Sequence, residues 1–124
     1  MKKPGSAVLE ERVGALRAFL KRKPGDETAW YGLGRALLDL SRPDEAAAAF
    51  RQALVAKPDY TAAQRDLGLS LLAQGESAAA AEAFRAGIAL AEKTGDLQTG
   101  REMAVFLRRA LRTLGARSDP PARS

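Results

Sequence analysis

The chain of 124 residues is long enough for one domain with a real core, and it carries a net charge of +5 at neutral pH. It contains no cysteine and no histidine, which excludes disulfides and cysteine nucleophiles and removes the usual ligands of zinc and haem. No apolar stretch approaches the roughly 20 residues that span a bilayer, and the N-terminus lacks the apolar core of a secretory signal. We therefore expect a cytoplasmic protein with no cofactor and no membrane contact.

Alanine, leucine and arginine dominate the sequence and β-branched residues are scarce, which predicts an all-α fold. The first helix is predicted over residues 6–22, with Ser6 as its cap and Pro24-Gly25 after its end. Its apolar residues recur at spacings of three and four, so that they form one stripe. They are Val8, Leu9, Val13, Leu16, Phe19 and Leu20.

The next two helices have clear start and stop signals. Asp26 is a natural N-cap for the second helix, and Pro43 is well placed as the first residue of the third. Pro58 ends the third helix. Gly34 lies inside the second helix, where a glycine costs about 1 kcal/mol against alanine. We therefore expect a neighbouring helix to approach closely at Gly34.

Three further helices are predicted in the second half of the chain. Asp59 is expected to cap the fourth helix, and Gly75 is expected to end it in the left-handed conformation. Ser77 opens the fifth helix, which is expected to continue unbroken to Lys93. The sixth helix is predicted over 96–114, with Asp96 as its cap and Gly115 at its end. Residues 116–124 are predicted to be a disordered tail.

The sequence repeats itself after 34 residues. Leu33-Gly34 corresponds to Leu67-Gly68, Leu37 to Leu71, Ala46 to Ala80, Phe50 to Phe84 and Ala53 to Gly87. Together with Trp30 and Pro58, these residues follow the signature of a helix–turn–helix repeat of 34 residues. The chain thus resembles the tetratricopeptide repeat family, with two full repeats at 27–60 and 61–94.

The resemblance implies an all-α fold in which antiparallel helix pairs stack as a short α-solenoid of about six helices, in one domain over residues 1–115. The first helix is similar to the second half of an earlier repeat, and the sixth is similar to a terminal capping helix. In such a stack the first helix of each pair lines a concave groove.

In the resembling family this groove binds a peptide or a helix of a partner protein. The resemblance therefore implies a non-catalytic protein-binding module whose ligand is a protein or peptide. Helical spacing places eight residues on the side of the second and fourth helices that lies away from Trp30 and Leu33. These groove residues are Thr28, Tyr31, Arg35, Leu38, Ala62, Arg65, Leu69 and Leu72. Their chemistry favours a ligand with apolar side chains and at least one acidic group.

Other interpretations stay open at this point. Leu69 and Leu72 could pack beneath the capping helix, while Trp30 is expected to be a core residue rather than a ligand contact. The chain could also associate with itself.

Basic residues are concentrated near both ends of the chain, and they could bind nucleic acid or another polyanion. Aromatic residues that could stack on bases are few, which disfavours nucleic acid. They are Lys2, Lys3, Arg17, Lys21, Lys23, Arg101, Arg108, Arg109 and Arg112.

Overall fold

A computed structural model describes residues 5–118, which form six α-helices and, within that range, no strand. The predicted all-α fold of about six helices is confirmed. The helices are α1 (Ser6–Arg22), α2 (Glu27–Asp39), α3 (Pro43–Ala56), α4 (Thr61–Ala73), α5 (Ser77–Thr94) and α6 (Leu97–Ser118).

Two of the four predicted side-chain caps are confirmed. The backbone N–H of Ala29 donates to Asp26 Oδ1 at 2.8 Å, and that of Thr99 donates to Asp96 Oδ1 at 3.3 Å. The predicted caps Ser6 and Asp59 are wrong. Gly5 takes the N-cap position of α1 and Tyr60 that of α4, and neither helix start has a side-chain cap bond.

The C-terminal end of α6 differs from the prediction. The helix passes through Gly115 and continues to Ser118, so Gly115 does not end it and residues 116–118 are not a disordered tail. Ala116 and Arg117 are good helix formers, and a single internal glycine costs only about 1 kcal/mol, so the helix tolerates it. The remainder of the predicted tail, 119–124, lies outside the described residues.

The core contains two equivalent contacts between an aromatic ring and a helical glycine. A Cβ atom added to Gly34 would lie 2.5 Å from Cε1 of Phe50, and one added to Gly68 would overlap the ring of Phe84. Both phenylalanines are fully buried. The close approach expected at Gly34 is therefore confirmed, and α2–α3 and α4–α5 pack as matching pairs.

Each helix packs against the next along the chain, and the further helix contacts join α4 to α2 and to α6. The first helices of successive pairs thus lie side by side, with α6 in the position of a third. Among the described residues, no helix is long and apolar enough to cross a membrane. The residues of the predicted groove thus lie on α2 and α4, and α6 lies beside α4.

Candidate functional site

None of the eight groove residues is fully buried. Thr28 and Arg35 are exposed, and the other six are half-buried. The helices α2 and α4 that carry them contact each other directly. The two sets therefore lie on neighbouring helices, and every one of these side chains keeps some surface available for contact.

A buried carboxylate, Asp66, joins three of the groove residues. Its side chain is 0% exposed. Tyr31 donates its hydroxyl to Asp66 Oδ2 at 2.7 Å, Arg65 donates Nε–H to Oδ1 at 3.0 Å, and Arg35 Nη1 lies 3.5 Å from Oδ2. A buried carboxylate is retained only when it is paired and hydrogen-bonded. Asp66 therefore holds side chains from both helices in one network.

The network changes the acid–base properties of its members. Burial raises the pKa of Tyr31 to about 12, and the hydrogen bond to the Asp66 carboxylate adds to this effect. For Arg65, burial lowers the pKa, but the pairing with Asp66 and Glu102 outweighs it and raises the pKa overall. Tyr31 is thus a neutral donor and Arg65 a fixed cation at ordinary pH.

Arg65 continues the network to α6, since its Nη1–H donates to Glu102 Oε1 at 2.9 Å. The contact repeats an earlier one. Tyr31 of α2 reaches Asp66 of α4, and Arg65, 34 residues after Tyr31, reaches Glu102 of α6 in the same way. Polar contacts therefore join both α2 to α4 and α4 to α6 at equivalent positions of the repeat.

Leu69 and Leu72 line an open cavity of about 400 Å³ between the end of α4 and α6. Arg109 and Thr113 of α6 form its other wall. The alternative that these leucines pack beneath the capping helix is thus partly right, because α6 lies beside them. Both stay half-buried rather than fully covered, so an apolar side chain of a ligand could enter.

The sequence interpretation missed three residues of this site: Asp66, Glu102 and Arg109. Asp66 and Glu102 act through partners more than 30 positions away in the chain, which no helical spacing reveals. A signal for Asp66 does exist, because apolar residues lie three or four positions from it, at Ala62, Ala63 and Leu69, and an acidic side chain buried among them must be paired. Arg109 was assigned to the basic ends, although it borders the groove leucines.

A second cleft, of about 570 Å³, lies on the other side of the helix stack between α1 and α3. Trp30 lines it, and its indole Nε1–H donates to the Pro24 carbonyl at 2.7 Å. The ring is half-buried and packs against the core, as expected for a core position, but one part of it faces this cleft. Trp30 is therefore not one of the groove residues.

Comparison with known proteins places this geometry in a family. The family model described as tetratricopeptide repeat matches residues 13–61 and 33–96. A search of curated proteins gives no match.

Several solved structures are similar over most of the chain. Protein BPP2914 from Bordetella parapertussis is 33% identical, covering 84% of this chain and 90% of that one, with a TM-score of 0.73. The TPR2B domain of yeast Sti1, in a complex with pHsp70, is 23% identical, covering 86% and 85%, with a TM-score of 0.80. The Sgt2 TPR domain from Aspergillus fumigatus is 22% identical, covering 99% and 89%, with a TM-score of 0.70.

The last two similarities concern the fold alone. The family match, by contrast, spans most of the sequence, and the glycine–phenylalanine contacts recur in both predicted repeats. The chain therefore belongs to the tetratricopeptide repeat family.

Proposed function

We propose that the concave groove along α2 and α4 binds a peptide or a helix of a partner protein, without catalysis. Tetratricopeptide repeats are generally interaction modules, and the solved structure of the yeast Sti1 domain is itself a protein complex. A cytoplasmic location, which the cysteine-free sequence favours, belongs to the same proposal.

The observation that carries the proposal is the mixed surface of the groove. Leu69 and Leu72 border an open cavity that suits an apolar side chain. Arg35 keeps 46% of its side chain exposed, and its contact to Asp66 is long, at 3.5 Å. An exposed guanidinium that is only weakly engaged within the protein can bind a carboxylate of the ligand. Arginine and tyrosine are enriched among the residues that dominate binding energy, and the groove contains both.

Arg65 has a different role. Its guanidinium is already engaged by Asp66 and Glu102, and only 21% of its side chain is exposed. Replacing it would remove the closer of the two arginines that pair with the buried Asp66 carboxylate, and breaking a buried ion pair is strongly destabilising. We therefore assign Arg65 to holding the groove together rather than to direct ligand contact, and leave it unchanged in the test.

The test is a pull-down from the native lysate at about 50 and 200 mM salt, a range over which phosphate contacts weaken strongly. Wild type is compared with the double variant Arg35→Glu/Leu69→Gln. The matched control is Arg51→Glu/Val55→Gln on α3, where Val55 is 75% exposed. Each variant must melt cooperatively.

A protein that wild type and the α3 control retain at both salt concentrations, and that the groove variant loses, supports the proposal and identifies the ligand. A protein retained by the groove variant but lost by the α3 control would contradict it. Nucleic acid recovered only at low salt, and equally by all three proteins, would move the function to the basic residues near the chain ends.

A further inference from the structure

We infer that α6 is a third wall of the groove, and that a row of arginines on it selects a partner segment rich in acidic residues. The inference rests on the proposed function and names the chemistry of the ligand. The row consists of Arg101, Val105, Arg108 and Arg112, which are spaced so that they share one face of the helix. It is called the arginine row below.

The repeat register assigns this row to the groove. Buried positions of α2 recur 34 residues later in α4 and 36 residues after that in α6. They are Ala29, Ala63 and Thr99, and Leu33, Leu67 and Met103. In the same register, the groove positions Arg65, Leu69 and Leu72 correspond to Arg101, Val105 and Arg108.

Contacts across the helices agree with the register. Glu102 is bound by Arg65, and Arg109 borders the cavity of the groove leucines, so this side of α6 faces α4. Arg101 and Arg108 of the arginine row immediately precede Glu102 and Arg109 in the sequence, so the row is turned by about 100° around the helix from the side that faces α4. It lies opposite Met103 and Ala110, which are fully buried. The row therefore faces solvent along the edge of the groove.

The charge of the row is not neutralised within the described part of the chain. Arg101, Arg108 and Arg112 are exposed and form no ion pair there, although Arg101 lines a small cleft together with Glu92 of α5. On the α4 side, Arg65 binds the carboxylates of Asp66 and Glu102. Exposed cations in a groove attract a ligand of opposite charge, and the attraction weakens as salt rises. The α6 side of the groove is thus its positive side.

The spacing of the row sets the length of the ligand segment. Eleven residues separate Arg101 from Arg112, which is about 16 Å along a helix. An extended chain covers that distance in about five residues. The matching ligand is therefore an extended segment with about three carboxylates in a stretch of about six residues, and an apolar side chain for the cavity beside Arg109.

Fluorescence anisotropy with two labelled octapeptides tests the inference. Both peptides carry two leucines; one has four glutamates, and the other has four glutamines in their place. We expect wild type to bind the glutamate peptide at least ten-fold more tightly at about 50 mM salt. The variant Arg101→Gln/Arg108→Gln/Arg112→Gln is expected to bind both peptides within about three-fold of each other.

The matched control is Arg22→Gln/Arg51→Gln/Arg85→Gln, which removes three exposed arginines from α1, α3 and α5 and should keep the ten-fold preference. Equal affinity of wild type for the two peptides, or no binding of either, would overturn the inference. If both peptides bind equally and Leu69→Gln weakens both, the groove proposal stands while the inference fails. Tighter binding of a single-stranded RNA octamer, lost in the α6 variant, would overturn it in favour of nucleic acid.

Discussion

Gly34 is one of the residues at which two neighbouring helices approach each other most closely. An added Cβ would lie 2.5 Å from the ring of Phe50, which is fully buried and has no room to move towards solvent. We expect Gly34→Ala to lower the free energy of unfolding by about 1–3 kcal/mol, because overpacking outweighs the better helix propensity of alanine. Urea unfolding followed by circular dichroism measures the change.

Gly14 is the control for this substitution. It also lies inside a helix, but an added Cβ would meet nothing within 4 Å. Gly14→Ala should therefore raise the free energy of unfolding by about 0.5–1 kcal/mol. A gain in stability for Gly34→Ala similar to that for Gly14→Ala would show that the contact with Phe50 is not tight.

At the scale of the elements, the turns between paired helices contain a left-handed residue. Gly75 has a φ of 80° after α4, and Ser41, exactly one repeat earlier, has a φ of 60° after α2. A left-handed conformation costs a residue with a side chain about 1–2 kcal/mol, whereas glycine adopts it freely. The same turn is thus built once with the favoured residue and once without it.

We expect Ser41→Gly to raise the free energy of unfolding by about 0.5–1 kcal/mol, and Gly75→Ser to lower it by about 1 kcal/mol. The opposite signs at equivalent positions make the pair its own control. Chemical unfolding of both variants and of wild type measures these changes in the free energy of unfolding. A loss of stability on introducing glycine at position 41 would mean that the serine side chain contributes more than its backbone conformation costs.

For the whole molecule, the described residues of α2 and α6 share no contact, so these two helices are connected through the helices between them. Met103 of α6 is fully buried, whereas Val105, two residues on, is 48% exposed. We expect Met103→Gln to lower the stability of the entire domain by about 3 kcal/mol, because it buries an amide without a partner. Val105→Gln should change it by less than about 0.5 kcal/mol.

Trp30 in α2, the only tryptophan of the chain, reports on this coupling from the other end of the stack. If the domain unfolds as one unit, Met103→Gln will shift the unfolding curve measured by Trp30 fluorescence as much as the curve measured by circular dichroism. A shift seen by circular dichroism alone would show that α6 melts separately, as nearest-neighbour coupling in repeat proteins allows.

Much of the fold could be predicted from the sequence by itself. Helix propensity, proline and glycine positions and the 34-residue period identified the six helices, because these signals act over a few residues or repeat along the chain. Gly34 and Phe50 were recognised as repeat positions, and their contact follows from that pattern. The signals that failed concerned single helix ends, namely the caps predicted at Ser6 and Asp59 and the end of α6 at Gly115.

The composition of the candidate site was decided only by the tertiary structure. Asp66 binds Arg35, 31 residues away, and Arg65 binds Glu102, 37 residues away. Neither interval is a helical spacing, and both partners are brought together only when α2, α4 and α6 lie side by side. The same packing sets α6 beside α4, so that Arg109, a residue of the basic chain end, borders the cavity of Leu69 and Leu72.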